Sequence, residues 1–315
     1  MNTPSSTAHD SSFEPQESAP AAISATRPMY WSIRRELWEN RSIFIAPMAA
    51  ATVYTLGYLI SLIWLPRRMR ALPALDRAHQ RIALAEPYSH AAMLLMLTAF
   101  LVGIFYCLDT LHSERRDRSI LFWKSLPVSD FTTVLAKASI PLLVLPLLVF
   151  TITVAVQLIM RLLSTAVLLM SDVGAATLWK QLPLLQMQLV LLYVLAVLVL
   201  WHAPLYAWLL LVSGWARRAT FLWAVLPPLV IAVFERIAFH TSFFGSLLRN
   251  RLFGFAACAF DLRAQGGERV DPHFIPLTRL TPGKFLSSPS LWIGLAVAAI
   301  FLAAAVRLRR YREPI

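Results

Sequence analysis

ERRDRSILFWKSLPVSDFTTVLAK, residues Glu114 to Lys137, is a charged, tryptophan-bearing stretch set between two long apolar runs. An apolar run of about 20 residues is long enough to cross a bilayer as a helix. The stretch therefore reads as a loop, residues 112–138, pinned to a membrane surface at both ends. It opens on mixed charge, Glu114 to Arg118, and passes into a short amphipathic patch with Ile120, Leu121, Phe122 and Trp123. Leu126-Pro127 breaks that patch, because proline disfavours helix at the residue before it. A second helical start follows at Ser129-Asp130, where a short polar side chain can cap the first turn. On these residues alone the loop is either a solvated connection with an interfacial tryptophan or a short surface helix offered to a partner protein.

Composition sets the same frame. The chain has 315 residues, 58% of them hydrophobic and 15% charged, with a mean hydropathy of +0.62. Soluble domains are nearer half apolar and one quarter charged. The excess lies in long runs, so the expectation is an all-α polytopic membrane protein. Lysine and arginine exceed aspartate and glutamate by 29 to 17, a formal charge of +12. Most of the cations flank apolar runs, which points to anionic lipid headgroups rather than nucleic acid. The two cysteines, Cys107 and Cys258, make no disulfide framework, and no Cys/His cluster has zinc-ligand spacing.

Residues 1–27 are rich in Ser, Thr, Pro and Ala. They read as a disordered cytoplasmic tail, and without a basic start and apolar core they do not read as a signal peptide. Residues 28–41, PMYWSIRRELWENR, predict an amphipathic interfacial helix. Tyr30, Ile33 and Leu37 share one face with Trp31 and Trp38 beside it, and Arg34, Arg35 and Glu39 lie opposite. A bare aromatic anchor for the first span is the plainer alternative. Six spans are expected near 43–65, 91–111, 139–163, 182–212, 219–239 and 291–306. The polar connection between the first two is arginine-rich. The fourth is long enough to kink at His202 and Pro204, and Pro227-Pro228 interrupts the fifth. Residues 240–290 form a long external loop in this reading, with re-entrant or interfacial structure where its apolar patches recur.

The organising loop resembles the coupling-helix loop of type-2 ATP-binding-cassette (ABC) exporter permeases. The resemblance rests on DRSILFWKSLPVSDFTTVLAK lying between the second and third apolar runs, with its charged start, its SLP turn and its closing lysine. The number and order of spans fit the same family across most of the chain. What it implies is a permease subunit of a bacterial inner-membrane exporter, working as a homodimer or with a related chain beside two separate P-loop ATPase subunits. The loop docks into the ATPase, which makes Glu114, Arg116, Arg118, Ile120, Phe122, Trp123, Leu126, Pro127 and Lys137 the expected contacts. The helix bearing Trp31, Arg34, Arg35, Leu37 and Trp38 borders the same contact. The family exports lipids, glycans, peptides, antibiotics and other hydrophobic compounds, and the sequence does not choose among them.

No phosphate-binding loop is present, since Pro282-Gly283-Lys284 lacks both the preceding glycine-rich turn and the following Ser/Thr. No cofactor is expected in this chain, and ATP would be bound by the partner. His202 is the one histidine deep in a span and Glu235 is an acid at a span's end. Both are candidates for a transport pathway, against the plainer readings of an interhelical hydrogen bond and a side chain reaching the interface. With six spans both termini share a side; the GWARR turn (Gly214–Arg218) and the C-terminal arginines favour the cytoplasm for it, and the resemblance, which implies a cytoplasmic coupling loop, decides the choice. The arginines of the first connection argue the other way. A secondary transporter is the alternative function, then a non-transporting scaffold, then an intramembrane hydrolase.

Overall fold

The apolar runs become helices because a bilayer leaves no other way to satisfy every backbone N–H and C=O within one segment. The computed structural model describes residues 26–117, 129–171, 176–261 and 277–311. Among them six helical segments are long and apolar enough to cross a membrane: Ser42–Ala74, His79–Arg116, Asp130–Met170, Leu184–Trp215, Thr220–Phe239 and Pro289–Tyr311. The described residues hold no strand, only an isolated bridge between Phe260 and Leu280. The chain is an all-α, multi-pass membrane protein.

In chain order the helices are α1 (Thr26–Glu39), α2 (Ser42–Ser61), α3 (Leu65–Ala71), α4 (Arg77–Arg116), α5 (Asp130–Ser139), α6 (Leu145–Met170), α7 (Ala176–Gln181), α8 (Leu184–Trp215), α9 (Thr220–Phe239), α10 (Phe243–Phe253), α11 (Phe255–Ala259), α12 (Pro282–Leu286) and α13 (Pro289–Tyr311). Helices α4, α6 and α8 make the centre, with α2 against α4 and α6, and α13 against α8. Interhelical hydrogen bonds pin this packing. Tyr58 Oη and Ser164 Oγ are 2.7 Å apart, Gln157 Nε2 donates to Tyr88 O at 3.0 Å, and Trp208 Nε1 donates to Ala224 O at 3.1 Å. The outward faces remain apolar, as a lipid-facing surface requires.

Several boundaries differ from those expected. The arginine-rich connection is helical almost throughout, and α4 starts at Arg77 rather than near Ala91. The chain turns only at Leu75-Asp76, where Gln80 Nε2 donates to Leu72 O and Leu75 O and so satisfies carbonyls at the end of the preceding turn. The third span is longer at both ends and widens into a π turn over Ile140–Val144, where Pro141 brings no N–H to the usual ladder. Pro227 and Pro228 do not interrupt the fifth span, because α9 runs through both.

The described part of residues 240–290, namely 240–261 and 277–290, is largely helical and packs on the bundle. After α9, α10 turns back and brings Leu252 O within 3.3 Å of His202 Nε2. His202 stands 18 residues from one end of α8 and 13 from the other, about 27 Å and 20 Å along the axis. The α10–α11 pair therefore re-enters to the middle depth of the bundle. Such a segment needs partners for its terminal carbonyls, and the chain supplies them. Phe260 N bonds Ala256 O at 3.0 Å and Thr281 N bonds Ala259 O at 3.1 Å. Lys284 Nζ bonds Ala257 O at 3.4 Å, Thr281 Oγ1 bonds Cys258 O at 3.3 Å, and Tyr193 Oη adds a second bond to Ala259 O at 3.0 Å. Phe260, Phe285 and Leu291 close around buried Trp201 beneath it.

Candidate functional site

The two stems of the organising loop meet in a buried ion cluster. Glu114, in the last turn of α4, and Lys137, near the end of α5, are 3.0 Å apart and 6% and 1% exposed. Lys137 Nζ also donates to Glu36 Oε1 of α1 at 2.8 Å and to Thr110 Oγ1 at 2.8 Å. The far oxygen of Glu36 accepts from Tyr106 Oη at 2.8 Å and Thr110 Oγ1 at 3.2 Å. Arg35 Nη2 bridges Glu36 at 2.8 Å and Glu114 at 3.0 Å. From the opposite side Arg309 of α13 bonds Glu114 through Nη1 and Asp130 through Nε at 3.0 Å. Three carboxylates thus meet three cations, drawn from α1, α4, α5 and α13.

Local sequence explains how each residue arrives there. Ser129 caps α5 by accepting from Thr132 N at 3.1 Å, as the Ser-Asp start predicts, and that sets Asp130 in the first turn beneath Arg309. On α1 the inward face is Ser32, Ile33, Glu36 and Leu37, one position around from the expected stripe. Tyr30 is exposed instead. The outer face carries Trp31 and Trp38 with the Arg34 guanidinium stacked between them, 5.2 Å and 4.9 Å from the ring centroids. A basic, tryptophan-flanked face is suited to the headgroup layer.

Burial alone would push the Glu36 carboxyl up. Lys137 first, then Arg35, overcome that and hold it at about 2, well below the usual carboxylate range. Burial works to lower the Arg35 guanidinium, but Glu36, Glu114 and Glu39 together raise it. A buried ion pair adds little net stability over an apolar pair of the same shape, whereas losing one partner is strongly destabilising. Such a cluster acts as a fixed joint: it specifies which four helices meet and holds them in one register.

The structure divides the residues singled out from sequence. Glu114 and Lys137 face inward, with their charged atoms engaged within the chain, so they brace the base of the loop and are not presented on its surface. Arg116 is exposed and pairs with neighbouring Asp117 at 3.1 Å. Arg118, Ile120, Phe122, Trp123, Leu126 and Pro127 lie outside the described residues. Arg35 and Leu37 turn inward, and Trp31 and Trp38 turn outward.

His202 and Glu235 both hold the re-entrant pair. The His202 ring faces Leu198 O at 3.0 Å and Leu252 O at 3.3 Å, and so engages one of the last carbonyls of α10. Glu235 receives Thr241 Oγ1 at 2.9 Å, Phe243 N at 2.6 Å and Phe244 N at 2.8 Å, which caps the first turn of α10. Glu235 therefore serves as the cap of α10.

Sequence reasoning missed Glu36, Tyr106, Thr110 and the pairing role of Arg309. Glu36 left a signal, an acid on the inward stripe of an amphipathic helix. Arg309 left none, since it sits among Arg307, Arg310 and Arg312. No group of three or more His, Cys, Asp or Glu side chains that could hold a metal ion occurs among the described residues. Comparison with known protein families, with curated proteins and with solved structures found no match.

Proposed function

We propose that this chain is the membrane-spanning permease subunit of an ATP-driven exporter of the type-2 ABC class. Two permeases pair in a bacterial inner membrane beside two separate P-loop ATPase subunits, with both termini in the cytoplasm. One observation carries this reading: the two stems of the 112–138 loop are joined at their base by the Glu114–Lys137 pair and bolted there to the N-terminal helix and the last span. A partner that pushes on the loop then moves α4, α5, α1 and α13 together. ATP is hydrolysed by the partner, and this chain converts the resulting displacement into a rearrangement of its spans. Ile120, Phe122 and Trp123 are the apolar groups of the loop suited to a partner's cleft, since buried aromatics dominate many interfaces. Arg116 and Arg118 suit its rim.

The test is recovery of the partner. The tagged chain, extracted from its native membrane in mild detergent, is expected to bring a stand-alone P-loop ATPase with it and to show no hydrolysis once that protein is removed. Phe122→Ala with Trp123→Ala is expected to leave the chain inserted but to weaken that recovery severalfold. Trp64→Ala, which changes an exposed aromatic stacked on Arg67 on the other side of the bundle, leaves it unchanged. Hydrolysis that follows this polypeptide alone, or normal ATPase recovery by the double variant, overturns the reading.

A further inference from the structure

Beneath the re-entrant pair lies a cavity of about 310 Å³, walled by α4, the π turn and start of α6, α8 and the α10–α11 junction. None of its lining side chains is charged, and its polar groups are His202 and Tyr206. Three lining residues, Met93, Leu97 and Phe253, are 62%, 52% and 72% exposed, so the rim is apolar and open at the surface of the chain. Arg251 neighbours the lining in sequence but is turned away, stacked 4.8 Å from Trp201 and pressed against Gly294. A cation moved into this space loses its hydration and meets no counter-charge.

The walls coincide with irregularities in the helices. Pro141 and Pro146 line the cavity, the π turn passes beside it, and the α10–α11 break at Gly254 falls between two lining residues, Phe253 and Phe255. π turns recur at functional sites. Pro141 also follows Lys137 by four residues, about 6 Å along a helix. The cavity wall is thus about one turn from the joint at the base of the loop.

We propose that this cavity binds an uncharged lipophile drawn from the bilayer. In calling that ligand the transported substrate, the inference rests on the exporter reading above. His202 and Tyr206 favour a molecule with one weakly polar group on an otherwise apolar body. Because the π turn joins the cavity to α5, movement of the loop changes the shape of the site.

The test uses the intact chain in nanodiscs without any ATPase. The probes are a diazirine-bearing long-chain alcohol and its quaternary-ammonium counterpart. Photolysis with the alcohol is expected to give saturable adducts on the peptides carrying Met96, Leu145 and Leu198, displaced by excess unlabelled alcohol. Leu97→Trp and, independently, Phe253→Trp fill the exposed rim and should reduce those adducts severalfold in monodisperse protein. Leu189→Trp, at an exposed position of α8 outside the cavity, should not. Unsaturable labelling spread evenly over the lipid-facing helices, or equal labelling of the lining by the ammonium probe, overturns the proposal. Saturable labelling without any recoverable ATPase would keep the site and remove the exporter. A recovered ATPase without cavity labelling would do the reverse.

Discussion

Lys137 Nζ lies 2.8 Å from Glu36 Oε1, and both side chains are 1% exposed. The residues are 101 positions apart, so their pairing fixes the N-terminal helix against the second stem of the loop. Lys137→Met leaves Glu36 and Glu114 with one shared cation fewer. Breaking a buried pair in this way costs about 3–5 kcal/mol, read as a lowered unfolding midpoint in detergent. Glu36→Gln in the same chain should recover part of the loss, with a coupling energy above about 1 kcal/mol. Strict additivity of the two changes would show that the pair does not act as a unit.

Acid should release the same joint. The Glu36 carboxyl is held at about 2 against an ordinary 4.5. Its contribution to stability is therefore complete above pH 4.5 and is lost as pH falls towards 2. The size is about 3 kcal/mol at about 1.4 kcal/mol per pH unit. A pH series of unfolding midpoints should show a slope in that window which Glu36→Gln removes. An unchanged slope in the variant would assign the acid sensitivity to other carboxylates.

Gly294 gives the Arg251 guanidinium its room. A Cβ at this glycine would meet that guanidinium, the far end of a flexible side chain. Gly294→Ala should push the guanidinium off the Trp201 face at a small cost, below the ~1–3 kcal/mol of overpacking a rigid core, because the side chain can swing away. The shift should be visible in tryptophan fluorescence. Arg251→Ala is expected to relieve most of the penalty, and a penalty that persists in the double variant would place the strain in the helix backbone.

His202 should tolerate a donor and reject a hydrocarbon. His202→Gln retains a side-chain N–H donor and, on the exporter reading proposed above, should change transport by no more than a few fold, consistent with an interhelical hydrogen bond. His202→Leu removes the single N–H of a neutral ring that faces both Leu198 O and Leu252 O, so one of these carbonyls loses its donor, at about 1–3 kcal/mol. Limited proteolysis should then cut faster within residues 240–290. Loss of transport in a stably folded Gln variant would give the imidazole a part in moving substrate.

The six spans were legible because each is carried by a run of apolar residues that needs no distant information. The cap at Ser129 was legible for the same reason, since its partner Thr132 is three residues away. The re-entrant pair was half legible: the apolar patch of residues 252–260 announced burial, but the carbonyl partners that permit it, Tyr193, His202, Thr281 and Lys284, come from other segments. The ion cluster was least legible. Glu114 and Lys137 stood out as the ends of a loop, yet sequence gave no reason to turn them inward. Their orientation depends on Glu36 and Arg309, whose carboxylate and guanidinium look like ordinary members of a polar helix face and a basic terminus.

The joint also imposes an order on biosynthesis. Its earliest member belongs to the first helix and its latest to the last, and Arg309 follows Glu114 by 195 residues. At about 5–20 residues per second, Glu114 emerges some 10–40 s before the arginine that completes its set. Through that interval α1 can rest on the membrane surface by its tryptophan–arginine face while four spans are still being inserted. The finished arrangement locks only when the final helix arrives. A chain truncated before Arg309 would leave Glu114 and Asp130 each short of a partner.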